Sequence, residues 1–132
     1  MPDEELKKMI ADHMEAGFLE NIIDMFRRDR SLFGLLGCLI SDERARVRLG
    51  AVALVEALKE SFFRDAIVKE VSSIAGVLKN PEAVIRADAA YLLGVIGDKS
   101  ALPFLRDSVN DENAAVREVL KETIEELSVP VI

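Results

Sequence analysis

The apolar positions of this chain recur with the period of an α-helix, and they do so three times in phase. Val47, Ala51, Leu54, Val55 and Leu58 stand at i, i+4, i+7, i+8 and i+11. Ile85, Ala89, Leu92, Leu93 and Ile96 repeat that spacing, as do Val116, Leu120, Thr123, Ile124 and Leu127, where only Thr123 interrupts the stripe. Such spacing lays side chains along one helical face. Ahead of the stripes, residues 42–48, 80–86 and 111–117 align without gaps. Each reads Asp or Asn, two residues, Ala, one residue, Val or Ile, then Arg. Asp42, Asn80 and Asp111 read as N-caps, because a short side-chain oxygen accepts from the free N–H groups of the first turn. Pro81 suits the first helical position, and Glu43, Glu82 and Glu112 suit the positive end of the helix dipole.

Second helices are predicted between these. Residues 62–79 carry Ile67, Val71, Ile74 and Leu78 on one face, and residues 100–109 carry Leu102, Leu105 and Val109. Ser100 reads as an N-cap, Pro103 falls in a first turn, and Gly97 suits a left-handed C-cap. Residues 3–16 form an amphipathic helix with Leu6, Met9, Ile10 and Met14 inward, broken at Gly17. Residues 18–28, on Phe18, Leu19, Ile22, Ile23 and Phe26, pair with 31–40, on Leu32, Leu35, Leu36 and Leu39. No stretch alternates with period two for long enough to be a strand. The expectation is all-α: a right-handed α-solenoid of about eight helices in one domain. Its parts are a capping helix over 1–17, a degenerate repeat over 18–40, repeats over 41–79 and 80–109, a half repeat over 110–128 and a tail over 129–132.

At these residues the chain resembles the HEAT-repeat superfamily, closest to the short repeat named after phycobilisome lyases. The third unit carries the likeness best: Ile85 and Arg86, Ala89 and Ala90, Leu93 and Gly94, Ile96, Gly97 and Asp98, then Ala101 and Leu102 to Leu105. The second unit keeps Val47, Arg48 and Ala51 without the Gly-Asp, and the fourth keeps Val116 and Arg117 without the Ala pair. The resemblance implies a scaffold that binds another protein along the concave row of second helices. It also implies that the motif arginines Arg48, Arg86 and Arg117, with Asp98, join charge pairs between repeats. It does not carry the lyase activity over, since nothing in the sequence marks a bilin site.

Composition narrows the function. The net charge of −7 argues against a general nucleic-acid binder. The charge is uneven: residues 27–48 hold six Arg against three acids, and residues 107–126 hold seven acids against two bases. Arg27, Arg28, Arg30, Arg44 and Arg46 form a candidate basic patch, the one feature through which a less favoured alternative, nucleic-acid binding, would act. One Cys, Cys38, sits in an apolar run and reads as a small core residue; no disulfide within the chain is possible, which fits a reducing cytoplasm. The acidic first residues do not read as a signal peptide, and the longest apolar run, 32–40, is too short to cross a bilayer.

Catalytic constellations are missing from the sequence. His13 and Cys38 are the only residues of their types and fall on different helices, so no metal site and no cofactor is expected. Gly34 and Gly37 read as a close-packing helix face rather than a phosphate loop. With the stripe of 62–79 facing the core, Asp65, Lys69, Ser72 and Gly76 face a partner groove that Arg106 extends. The alternative, an accessory or lyase- or chaperone-like subunit acting on a protein-bound cofactor, requires Asp65, Lys69 and Arg106 to converge in a deep pocket. The last unit, with one helix, is expected to expose Leu120, Ile124 and Leu127 unless the tail covers them, which points to a homodimer through that end.

Overall fold

A computed structural model describes residues 4–60 and 62–130. Among them the chain is helical throughout, with no strand. The α-helices are α1 (Glu4–Glu15), α2 (Leu19–Arg28), α3 (Leu36–Ile40), α4 (Ala45–Leu58), α5 (Arg64–Val68), α6 (Val71–Gly76), α7 (Ala83–Ile96), α8 (Leu102–Asp107) and α9 (Ala114–Leu127). Tight 3-10 turns over Arg30–Leu35, Val77–Lys79 and Lys99–Ala101 run into or out of α3, α6 and α8. Taken with those turns, and with α5 continued by α6, the segments make eight helical arms. The arms stack in two rows: α4, α7 and α9 pack side by side, and α3 and α6 run alongside and meet α4 and α7. α1 and α2 close one end on α4, and α8 packs on α9.

The three stripes explain the stacking. All five apolar residues of the α4 stripe and all five of the α7 stripe are buried. On α9, Val116, Leu120 and Leu127 are buried and Ile124 is half-buried. Thr123 does not interrupt that stripe: it is buried, and its hydroxyl donates to the Ala90 carbonyl at 3.4 Å. Gly94 faces it so closely that a Cβ there would stand 3.1 Å from Thr123 Cγ2. Gly97 ends α7 at φ 73°, and its N–H returns to the Leu93 carbonyl, the left-handed cap that glycine adopts without a Cβ penalty. Of the two glycines of the 31–40 segment, Gly37 faces Ser73, whereas a Cβ at Gly34 would meet open space, so close packing does not require glycine there.

Several local expectations are corrected. The helices start three residues after Asp42, Asn80 and Asp111, at Ala45, Ala83 and Ala114. Each of those side chains accepts from the N–H two residues on, at 2.8, 2.9 and 2.9 Å, so it closes an Asx turn instead of capping the helix. The N-caps are Arg44, Glu82 and Asn113, and of the three only Asn113 caps with its own side chain. Pro81 therefore lies in the turn, ahead of the first helical residue. Asp98, not Ser100, caps the Lys99–Ala101 turn by accepting from the Ser100 N–H and hydroxyl. The 62–79 segment divides into α5, α6 and a 3-10 turn, while Ile67, Val71, Ile74 and Leu78 all stay buried. Val109 lies past the end of α8 and is exposed, as is Phe18 ahead of α2. Cys38 is exposed rather than in the core, because Leu36, Leu39 and Ile40 take the buried face of the short α3.

Candidate functional site

The motif arginines make a ladder along the stack. Arg48 is 5% exposed; its Nη1 donates to the carbonyls of Asp42 and Glu43 at 2.8 and 3.0 Å, in its own turn. Its Nε donates to Asp88 on α7 at 2.7 Å. Arg86 repeats the arrangement, donating to the carbonyls of Asn80 and Pro81 and, through Nε and Nη2, to the carboxylate of Asp111 at 2.8 and 3.0 Å. Position 80, the counterpart of Asp111, holds a neutral amide, and the carboxylate for Arg48 comes from Asp88 instead. Arg117 makes the first contact of the series, Nη1 to the Asp111 carbonyl at 2.7 Å, and no ion pair among the described residues. Both carboxylate oxygens of Asp111 accept from Arg86, which holds that carboxyl below its usual range against the opposing effect of burial.

Asp98 joins the stack through a different cation. Arg64 lies 3.9 Å from the Asp98 carboxylate and donates to the Ile96 carbonyl at 2.9 Å. Lys59 donates to the Val95 carbonyl at 3.0 Å. Two cations of the preceding unit thus cover carbonyls at the C-terminal end of α7, where acceptors lack intrahelical donors and the dipole favours positive charge. Sequence reading missed Lys59, Arg64 and Asp88. The available signal was a cation just after one stripe and an acid two residues after the motif Arg of the next.

Two of the five arginines of the candidate basic patch pair with carboxylates. Arg27 pairs with Asp24 at 2.8 Å, and Arg44 with Asp12 at 2.8 Å and Asp42 at 3.0 Å. Arg30 lies over the ring of Phe62, 3.8 Å from its centroid, and donates to the Phe62 carbonyl. Phe62 is 80% exposed, so this cation–π pair stands on the surface. Only Arg28 and Arg46 of the five make no side-chain hydrogen bond or ion pair among the described residues. His13 is exposed and bonded to the Met9 carbonyl. No group of three or more His, Cys, Asp or Glu among the described residues could hold a metal ion.

The row of second helices differs. Asp65 on α5, Lys69 just past it, Ser72 and Gly76 on α6 and Arg106 on α8 are all exposed. None makes a side-chain hydrogen bond or ion pair among the described residues. None of them lines the recesses at α1, between α4, α7 and α9, or along α9. At the far end, Leu120 and Leu127 are buried against the stack. Among the described residues, Leu120 and Leu127 therefore form no exposed apolar patch there. Val129 is exposed, and tail residues 131 and 132 lie outside the described residues. A recess of about 610 Å³ opens there instead, lined by Arg117, Glu118, Lys121, Ile124, Glu125 and Val109 among others.

No helix among the described residues is long and apolar enough to cross a membrane. No curated protein matches the sequence. The stacked arms, the in-phase stripes and the arginine ladder agree with a family model described as HEAT repeats, which matches residues 32–125. Such repeats generally mediate protein–protein interaction and are typically non-catalytic scaffolds. The chain belongs to the HEAT-repeat family.

Proposed function

We propose that this protein is a non-catalytic interaction module that holds another protein against its row of second helices. One contrast carries the reading. The motif cations Arg48 and Arg86 are consumed inside the stack, whereas Asp65, Lys69 and Arg106 face solvent without a side-chain hydrogen bond or ion pair among the described residues. Charged groups of both signs, beside the short side chain of Ser72 and the bare backbone of Gly76, offer a partner close approach and complementary pairing. Such a row of exposed groups suits an extended segment or helix of a partner.

A photo-crosslinking residue placed at Ser72 tests this directly, with the same residue at exposed Leu49 on α4 as control. The expected result is a discrete protein adduct from Ser72 that fades when Asp65, Lys69 and Arg106 are charge-reversed. Identical capture from both positions, or no adduct from Ser72, defeats the proposal.

A further inference from the structure

The stripe of α9 that lines the 610 Å³ recess has a counterpart on α7. Shifted by the 31-residue spacing, Arg117, Glu118, Lys121, Ile124 and Glu125 fall on Arg86, Ala87, Ala90, Leu93 and Gly94. The α7 residues receive α9: Arg86 takes Asp111, Ala90 takes the Thr123 hydroxyl, and Gly94 lies against Thr123. The α9 stripe is thus a stacking face in which three small residues have become Glu, Lys and Glu. Long charged side chains there hold a neighbouring backbone further off than α7 holds α9. An occupant must also answer their charges in order, and must bring Arg117 the carboxylate that Arg48 and Arg86 already have.

We infer that the occupant is α9 of a second copy of this chain, laid antiparallel across the recess. Arg117 and Glu125 lie four residues on either side of Lys121. Antiparallel helices centred at Lys121 therefore set each Arg117 against Glu125 of the second copy; the two Lys121 meet at the axis and splay apart, each toward Glu118 and Glu125 of the second copy. Four cations meet four carboxylates, with Ile124 and Val109 of both copies as the apolar floor. Arg117 is already oriented by the Asp111 carbonyl, which lowers the entropy cost of its new pair. The interface is polar and small, so the dimer is weak and sensitive to salt.

Sedimentation equilibrium of the whole chain, at low and high salt over a range of concentrations, tests this inference. The expected result is monomer–dimer association that weakens as salt rises. Arg117→Glu and Glu125→Arg each lower the association constant about tenfold, because one substitution alters two symmetry-related contacts. The double variant R117E/E125R restores it. Lys121→Glu, at an exposed site with no ion pair among the described residues, weakens it too and guards against misfolding of the Arg117 variant. A monomer at every concentration in low salt overturns the inference. So does association untouched by both Arg117→Glu and Lys121→Glu, or a double variant no better than the singles. Because the crosslinking test reads the other row, the two proposals fail independently.

Discussion

On α7 the stripe that receives the next helix contains Arg86, Ala87, Ala90, Leu93 and Gly94; on α9 the equivalent positions hold Arg117, Glu118, Lys121, Ile124 and Glu125. Both arginines are held by the carbonyl six residues earlier, and both helices bury their own core stripe. The difference is confined to the side chains beside the arginine. Ala90 and Gly94 let Thr123 reach the α7 backbone, and the buried Arg86 then needs the carboxylate of Asp111. Lys121 and Glu125 are solvated, and Arg117 stays exposed beside them. One repeat template therefore makes either a dry stacking face or a polar, water-facing one, and a few small-to-charged replacements separate the two.

Exchanging residues between the two stripes is the harshest test. Ala90→Lys places an unpaired ammonium at a fully buried position and should cost roughly 3–5 kcal/mol in urea unfolding. Lys121→Ala should stay within about 0.5 kcal/mol. Similar losses from both would erase the distinction. The arginines give the next contrast. Arg86→Met strands the buried Asp111 and should lower the thermal midpoint by on the order of 10 °C. Arg117→Met should move it by no more than about 2 °C; equal shifts, read by circular dichroism, would deny the ladder its role. The smallest effect concerns pH. Asp111 is depressed by its hydrogen bonds from Arg86, so its contribution is complete above the ordinary carboxylate value of about 3.9 and is lost as pH falls through its lower folded value. Asp111→Asn should therefore be less stable at neutral pH and show a shallower loss in acid; an unchanged acid limb would contradict the pairing.

Much of the fold was legible because burying one side of a helix imprints a period of 3.6 on the sequence. Residues such as Leu54, Leu92 and Leu120 carried that signal and are all buried. Helix starts were less legible. Asp42, Asn80 and Asp111 are good caps by type, yet the same short oxygen closes an Asx turn equally well, and only local backbone geometry decides between them. Cys38, Val109 and Phe18 were misplaced because a short helix or a helix end offers too few turns for a period to assign a face.

By itself the sequence determined the helices, their buried faces and the position of the motif arginines, since each depends on residues within a few turns. Tertiary structure alone decided what those arginines touch. Asp88 lies 40 residues from Arg48, and Asp111 lies 25 from Arg86. Charge pairing acts through space and leaves no period along the chain. The same holds for the apolar end that was expected around Leu120 and Leu127: a stripe shows that a face is buried, and packing alone shows which neighbour buries it.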